Sequence, residues 1–221
     1  PGSTNETGTA AKFSYPNKVA VDSTGNVYVA DTNNNRIRKI NPAGLVTTLA
    51  GSTSGFADGN GTAAKFSYPN GLAVDSIGNV YVADTYNNRI RKITSNGEVS
   101  ILAGSGTEVS TDGTGTAASF NRPNGLAVDS TGNVYVVDNN IVIRKINSAS
   151  SEVSTLMTIV NYMNQPSGVA VDSTGNVYVA DTNNSRIRKI TPAGVVSILA
   201  GSTPGSTNET GTAAKFSYPN K

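Results

Sequence analysis

Short runs of β-branched apolar residues, broken by Gly, Asn and Asp, recur along the whole chain. In the first copy they predict four strands, at Val19–Val21, Val27–Ala30, Arg36–Ile40 and Val46–Ala50. The same pattern returns three more times with few changes, so the sequence has an internal repeat. Four consecutive strands in each repeat are typical of a propeller blade.

Prolines at the first strand of each repeat measure the repeat length. They follow one another at intervals of 53, 54, 43 and 53 residues. We therefore predict an all-β fold, a β-propeller of four four-stranded blades in a single region over residues 1–221. The approximate blade bounds are 16–50, 69–103, 123–156 and 166–200.

The residues between the predicted strands carry turn signals. Gly25 suits the left-handed position of a short hairpin loop, and the asparagines after the second strand tolerate positive φ. The third repeat is irregular, because its loop lacks one residue and the connector after it is about ten residues shorter. An apolar residue three positions before each proline is expected to fill the gap between blades; these residues are Phe13, Phe66, Phe120, Met163 and Phe216.

Composition removes several kinds of chemistry. The chain has neither cysteine nor histidine, which excludes disulfides, thiolate or imidazole metal ligands, and Ser-His or Cys-His catalysis. A net charge of +2 does not indicate a polyanionic partner. Only 14% of the residues are charged, and this polar, weakly charged composition favours an extracellular or cell-surface location. No apolar run approaches the roughly 20 residues of a membrane span.

The charges recur at fixed places in each repeat. Eleven of the seventeen basic residues lie in the third-strand motif, and eight of the fifteen acids lie at the ends of the first and second strands. We expect local pairing, and we predict that four arginines contact backbone or aspartate rather than phosphate, since the guanidinium donates several bonds at once. These arginines are Arg38, Arg91, Arg144 and Arg188.

These motifs carry a family resemblance. The segments from Pro69 to Asp75, from Gly78 to Asp84 and from Asn88 to Ile93 resemble the NHL repeat, a blade motif of β-propellers. The resemblance covers essentially the whole chain and implies the fold, whereas one fold hosts many functions. NHL propellers more often have about six blades. A closed ring of four, a partial ring completed by another chain, and part of a longer array therefore stay open.

Two alternative functions follow from related propellers. A calcium-dependent, lactonase-like hydrolase would use carboxylate and amide oxygens such as those of Asp31–Asn35 and Asp58–Thr62. The lyases that resemble NHL domains rely on histidine, which this chain lacks. An RNA-binding NHL domain would use the basic third-strand column, but among the asparagine loops only Tyr86 offers an exposed aromatic ring for stacking.

The sequence favours a non-enzymatic structural or binding module, with no catalytic residue, metal or cofactor. In a propeller the loop between the second and third strands and the connector between blades emerge on the same side, and loops on a rigid scaffold carry recognition. We expect the partner to be a protein or another copy of the repeat unit, not nucleic acid, and a carbohydrate or small ligand stays open. The predicted partner-binding residues are Asn17, Asp31, Asn33, Asn34, Asn35, Arg36, Asn70, Asp84, Asn87, Asn88, Arg89, Asn124, Asp181, Asn183, Asn184 and Arg186.

The two ends of the sequence are identical. Residues 1–18 and 204–221 match at every position, although the connectors between them have diverged. One connector is redundant within a single ring, whereas equivalent points of a continuing chain would share it. We therefore expect the chain to be part of a longer tandem array or fibre.

Because no metal ion is expected to stabilise the fold, we predict that the protein's stability is insensitive to chelators. If the oxygens of Asp31 and Asp58 only bind other protein groups, removing divalent ions should leave the melting temperature unchanged. Differential scanning calorimetry with and without chelator measures this, and a fall of many degrees would show that a bound ion stabilises the fold.

Overall fold

The computed structural model describes residues 2–158 and 163–220 and confirms the four-bladed β-propeller fold. Each blade is an antiparallel sheet whose four main strands follow one another in chain order, as the repeat predicted. Blade 1 contains β1 Pro16–Val21, β2 Val27–Asp31, β3 Arg36–Ile40 and β4 Val46–Ala50. Blade 2 contains β5 Gly59–Asn60, β6 Pro69–Val74, β7 Val80–Asp84, β8 Arg89–Ile93 and β9 Glu98–Ala103. Blade 3 contains β10 Gly113–Thr114, β11 Gly125–Val128, β12 Val134–Asp138, β13 Val142–Ile146 and β14 Glu152–Thr158. Blade 4 contains β15 Pro166–Val171, β16 Val177–Asp181, β17 Arg186–Ile190 and β18 Val196–Ala200.

The helical elements among the described residues are single 3-10 turns. They lie in the connectors and in the loops between the second and third strands of a blade: Gly8–Ala10, Thr32–Asn34, Gly61–Ala63, Thr85–Asn87, Gly115–Ala117, Thr182–Asn184 and Gly211–Ala213. Within the described residues, no helix has the length and apolar character needed to cross a membrane.

The loops between the second and third strands close as the asparagine pattern predicted. In blades 1 and 2 the 3-10 turn is followed by Asn35 or Asn88 in the left-handed conformation, with φ of 54° and 53°. Blade 3 has one residue fewer, and Asn139 and Asn140 both adopt positive φ, at 52° and 51°. Since asparagine tolerates this conformation best after glycine, the shorter loop still joins the two strands.

The opposite side of the propeller carries the hairpins between the first and second strands. In blade 4 the carboxylate of Asp172 accepts hydrogen bonds from Thr174, Asn176 and the Tyr178 hydroxyl at 2.8 to 2.9 Å. The Asn176 amide contributes most to lowering the pKa of Asp172, and the bonds from Thr174 and Tyr178 add to it. The aspartate at the end of the first strand therefore forms the turn of this hairpin, and Asp22, Asp75 and Asp129 make the same turn bond in the other blades. We call this the lower side, and the side with the connectors the upper side.

The hydrophobic core lies between blades. Each blade has a leading face, which packs on the preceding blade, and a trailing face, which packs on the following one. Between blades 1 and 2, the trailing face includes Tyr28, Ala30 and Ile37, and the leading face includes Leu72 and Val82. The blades therefore stabilise one another in a chain of interfaces, as expected for repeat proteins.

The expected plug residues fill these interfaces. Phe66 and Phe120 are completely buried, and Met163 is 8% exposed, each in the cluster between two blades. Phe13 and Phe216, which lie at the two ends, are only half-buried. The plug prediction is confirmed wherever a blade stands on both sides. The part of the third connector at residues 159–162 lies outside the described residues.

The connectors also extend two of the sheets. A two-residue strand pairs with the outermost strand, β5 with β9 in blade 2 and β10 with β14 in blade 3. The connector thus runs along the outer edge of the blade that follows it before it reaches that blade's inner strand. This fifth strand was not predicted, since two residues are too few to leave a periodic pattern.

The inner strands meet around the centre in sequence order. Strand β1 packs against β6, β6 against β11, and β11 against β15. Within residues 2–158 and 163–220, no contact of similar extent joins blade 4 to blade 1.

Close approach of the inner strands depends on glycine. A Cβ atom added to Gly71 would lie 1.9 Å from the carbonyl oxygen of Asn124 in the next blade, and one added to Gly125 would lie 2.9 Å from the Ser167 oxygen. Blade 1 has Lys18 at this position. The glycines therefore set the spacing of blades 2, 3 and 4.

We predict that Gly71→Ala destabilises the propeller by roughly 1–3 kcal/mol or more, because the methyl group pushes two backbones apart. For a chain of this size each kcal/mol lowers the melting temperature by about 2–4 °C, so thermal denaturation followed by circular dichroism can measure the loss. Lys18→Ala is the control, since a Cβ atom is already present there and the change should be small. Equal melting of Gly71→Ala and the wild type would show that the strands do not need this contact.

Candidate functional site

The upper side of each blade is organised around a buried ion pair. An aspartate at the end of the second strand binds the arginine in the middle of the third, and both side chains are removed from solvent. The nitrogen-to-oxygen distances are 2.9 Å for Arg38–Asp31, 3.0 Å for Arg91–Asp84, 3.1 Å for Arg144–Asp138 and 2.6 Å for Arg188–Asp181. Buried charges persist only when they are paired and hydrogen-bonded, so this pair dictates what surrounds it.

The remaining acceptors of the aspartate hold the chain that enters the blade. The backbone N–H of Ser67 donates to the Asp84 carboxylate at 2.7 Å, and the Asn87 amide donates at 2.8 Å. In blade 1 the backbone N–H of Ser14 donates to Asp31 at 2.8 Å. The carboxylate thus fixes the last residues of each connector to the loop between the second and third strands.

The arginine holds the rest of the connector. Arg91 donates to the carbonyl oxygens of Lys65 at 3.3 Å and Ala57 at 3.0 Å, and it also binds the carboxylate of Asp58. Its guanidinium lies 5.3 Å from the centre of the Phe66 ring. The planar fork of arginine can make all these bonds at once, which lysine cannot.

The same clamp recurs in the neighbouring blades. Arg144 contacts the Ser119 and Thr111 carbonyls and pairs with Asp112 at 2.8 Å. In blade 1, Arg38 binds Asn5 Oδ1 at 2.6 Å in place of an acid. The prediction that these arginines make structural contacts is confirmed, and the carboxylates of Asp31 and Asp58 both bind arginine.

Four predicted partner-binding residues do not lie on the surface, namely three aspartates and Asn88, which is 7% exposed. Asp31, Asp84 and Asp181 are 0% exposed, because each is the anion of a buried pair, and their expected place on the surface is wrong. The sequence placed them correctly at the loop but could not show that the connector covers them.

Most of the predicted asparagines and arginines support the loops. Asn34 donates to Asp31 and to the Gly2 carbonyl, and Arg89 donates to Ser105 and stacks 4.1 Å above the Phe56 ring. Asn17, Asn33 and Asn183 are exposed, and Asn88 is buried. The remaining predicted residues of these two types are half-buried: Asn35, Arg36, Asn70, Asn87, Asn124, Asn184 and Arg186.

Sequence reasoning missed the residue before each inner-strand proline. It adopts the left-handed conformation in every repeat, and the residues and φ values are Tyr15 at 53°, Tyr68 at 55°, Arg122 at 48°, Gln165 at 50° and Tyr218 at 49°. A bulky residue in this region is unusual and costs about 1–3 kcal/mol. Only the recurrent place before proline could have pointed to it, and that place normally indicates extended backbone.

The preceding blade holds this strained residue in place. The backbone N–H of Tyr68 donates to Asn35 Oδ1 at 3.0 Å, and that of Arg122 donates to Asn88 Oδ1 at 2.9 Å. The left-handed asparagine of one blade thus orients the left-handed residue of the next. As a result, large side chains project from the upper side near the centre of the propeller.

Two of these residues, the half-buried Tyr68 and the exposed Arg122, form an aromatic and basic cluster with the loop of blade 2. The rings of Tyr68 and Tyr86 stack with centres 4.8 Å apart and planes 12° apart, and the Arg122 guanidinium lies 6.0 Å from the Tyr86 ring. Tyr86 is 57% exposed. Arg122 pairs at 3.0 Å with Glu108, and both side chains are at least half exposed. We call Tyr68, Tyr86 and Arg122 the upper cluster.

Open grooves lie between blades on the lower side. A groove of about 290 Å³ between blades 1 and 2 is lined by Asp22, Tyr28, Lys39 and Ile77. Asp22 binds Asn26 and the Tyr28 hydroxyl, so its oxygens are occupied. Within the described ranges, no three His, Cys, Asp or Glu residues come together as metal ligands.

Fold and site together define a β-propeller whose blades are locked to their connectors by a buried Asp–Arg pair. The profile of the NHL repeat matches residues 13–40, 66–93, 120–140 and 163–190, one match in each blade. The chain belongs to the NHL-repeat proteins.

Relatives share the repeat but are much longer. NHL repeat-containing protein 2 of Homo sapiens is 34% identical over 146 residues, which cover 59% of this chain and 20% of that protein. Protein SUPPRESSOR OF QUENCHING 1, chloroplastic, of Arabidopsis thaliana is 37% identical over 94 residues, 42% of this chain and 9% of that protein. The chain therefore spans a fifth or less of these relatives.

Solved structures share the fold. Virginiamycin B lyase from Staphylococcus aureus, in its H270A form with quinupristin, superposes with a TM-score of 0.62 at 18% identity, over 85% of this chain and 56% of that one. A chain of the nidogen/laminin complex superposes with a TM-score of 0.65 at 20% identity, over 84% and 65%. At these identities the likeness concerns the fold alone.

We predict that the buried pair is worth far more than the exposed one. Arg91→Gln leaves Asp84 charged and without its cation, which should cost about 3–5 kcal/mol. Arg122→Gln breaks only the exposed pair with Glu108 and should cost about 0–1 kcal/mol.

Urea denaturation of the two variants measures both costs. A loss for Arg91→Gln no greater than that for Arg122→Gln would show that the ion pair does not hold the connector to the blade.

Proposed function

We propose that the chain is a non-enzymatic binding module whose upper side recognises a protein partner. The observation that carries this is the upper cluster, where Tyr86 and Arg122 are exposed and the half-buried Tyr68 stacks on Tyr86. Tyrosine and arginine are also the residues most enriched in the energetic centres of protein interfaces.

Two features of the upper side favour a protein partner over RNA. Glu108 neutralises Arg122, and the four central arginines are buried in structural pairs. Single-stranded nucleic acid needs free cations along its backbone beside the stacking rings. RNA binding is nevertheless the second candidate, because the Tyr68–Tyr86 stack could receive a base.

We also propose an extracellular or cell-surface location and a structural role within a longer array or fibre. The weakly charged composition supports the location. The identity of residues 1–18 and 204–221 supports the array, since one connector would then serve two successive units. Denaturing electrophoresis of the natural material would test it, with a band far above 22.7 kDa expected and a discrete band at that mass contradicting it.

Two natural departures from the repeat allow a matched test of the binding face. Tyr86 stands where blades 1 and 4 have Asn33 and Asn183, and Ile77 stands where blade 1 has Thr24. Tyr86 is 57% exposed on the upper side and Ile77 is 76% exposed on the lower side. Tyr86→Asn and Ile77→Thr therefore each restore a residue that the repeat already accommodates.

We predict that Tyr86→Asn abolishes recognition while leaving stability within about 0.5 kcal/mol of the wild type. Affinity capture from the natural secreted and surface fraction, with quantitative mass spectrometry, should recover a protein with the wild type and with Ile77→Thr but not with Tyr86→Asn. The recovered protein should then bind Tyr86→Asn at least about tenfold more weakly in calorimetry, a change of roughly 1.4 kcal/mol.

Recovery that is insensitive to Tyr86→Asn would contradict the proposal. Binding of single-stranded RNA to the wild type, with a steep salt dependence and loss in Tyr86→Asn, would replace it with the second candidate.

A further inference from the structure

The two end blades leave complementary faces open. Val19 and Val21 on the leading face of blade 1 are 58% and 59% exposed, whereas their counterparts in blade 2 are Leu72, which is 2% exposed, and the half-buried Val74. These valines occupy the positions that elsewhere pack against the trailing face of a preceding blade. Blade 1 thus presents a built interface with no blade on it.

Blade 4 presents the other half of the same interface. Ile187 on its trailing face is half-buried, although the equivalent Ile37 and Ile90 are completely buried. Leu199 is 48% exposed, while its counterpart Leu49 packs into the core between blades 1 and 2. Because the repeats are so alike, the open trailing face of blade 4 has the shape that fits the open leading face of blade 1.

The last connector carries an arginine pocket that is already formed. In the first connector, Arg38 donates to the Thr4 carbonyl at 2.9 Å, to Asn5 Oδ1 at 2.6 Å and to the Lys12 carbonyl at 3.1 Å, and it lies 5.1 Å from the Phe13 ring. The same residues recur in the last connector at the positions of Thr207, Asn208, Lys215 and Phe216.

The two connectors also share their conformation. The backbone N–H of Lys12 donates to the Thr4 carbonyl at 3.3 Å, and that of Lys215 donates to the Thr207 carbonyl at 3.2 Å. At the place that Arg38 occupies in the first connector, the last connector encloses an open concavity of about 720 Å³, lined by Thr207, Asn208, Lys215 and Phe216 among others.

We propose that these features join two copies of the chain head to tail. The leading face of blade 1 in one copy packs on the trailing face of blade 4 in another, and its Arg38 enters the pocket of the other copy's last connector. Residues 205–218 then replace residues 2–15 on blade 1 of the second copy, an exchange of identical segments between chains. The inference rests on the array arrangement proposed above and names its contact surfaces.

A second copy of the chain is the partner that fits these open faces, because the same interface between blades is already present three times within the chain. The residues of the open faces are those of the internal contacts, and the last connector matches the segment that Arg38 already binds. A second copy therefore supplies the leading face and the arginine, while Phe216 of the last connector takes the plug position of Phe13. Such a heterologous contact either closes into a ring or continues as a filament.

Sedimentation equilibrium tests the association. The wild type should pass with rising concentration from 22.7 kDa to a mass of twice that value or to a ladder of multiples. Val19→Glu/Val21→Glu should stay at 22.7 kDa, since charges cannot be buried unpaired in this interface. Ile77→Glu, at a still more exposed site on the lower side, should associate like the wild type. A wild type that stays at 22.7 kDa at concentrations up to about 1 mM overturns the proposal.

Two matched asparagine variants test the exchange of connectors. Asn208→Ala removes the acceptor for Arg38 of the second copy and should weaken association. Asn5→Ala weakens the competing segment and should strengthen association, while lowering the melting temperature of the single chain. Effects of the same sign on association would contradict the exchange.

The lack of cysteine allows a direct map of the contact. Val21→Cys and Leu199→Cys, made in separate chains and mixed with a short bismaleimide, should form a crosslinked pair. With both substitutions in one chain, a product that stays at 22.7 kDa would show that the chain closes on itself and would overturn the proposal. Tyr86→Asn should associate normally in these experiments, so loss of partner recognition and loss of association are separate results.

Discussion

The buried pair between aspartate and arginine is the interaction on which the rest of the structure depends. Removing two charges from water is costly, and the cost is offset only when further hydrogen bonds to neighbouring groups support the pair. In blade 2 those partners are the Ser67 amide, the Asn87 side chain, and the Lys65 and Ala57 carbonyls. One ion pair therefore ties the second strand, the third strand and the connector into a single unit. Because Arg91 holds the Lys65 carbonyl, the neighbouring plug residue Phe66 is fixed in the hydrophobic core between blades 1 and 2.

The same pair explains how a repeat can vary without losing its fold. The connector supplies an acid to the arginine in blades 2 and 3, whereas in blade 1 Asn5 takes this place. In blade 4, Arg188 binds Asp181 through Nε instead. The aspartate and the arginine are constant, and the third partner changes. Variation thus accumulates in the connectors and loops, where Tyr86 and Arg122 make one sector of the upper side different from the others.

Sequence reasoning reached the strands and the turns because both follow from local rules. The β-branched and aromatic residues of Val27–Ala30 and the glycine at position 25 are readable without tertiary structure, and Gly25 indeed has φ of 83°. The plug was readable as well, since it keeps a fixed distance from proline. The burial of Asp31, Asp84 and Asp181 could not be read from the sequence. Each aspartate is covered by a connector whose backbone N–H, 17 residues earlier in the chain, donates to its carboxylate. The left-handed Tyr68 was missed because a side chain of the preceding blade stabilises it against its own preference.

Native-state hydrogen exchange tests most directly whether the ion pair makes blade and connector one unit. The Ser67 amide, which donates to Asp84, should exchange with the same free energy of opening as the amides of β7, because the segment cannot leave without exposing the buried charges. Fast exchange of Ser67 while β7 stays protected would show that the connector opens independently and would contradict the account.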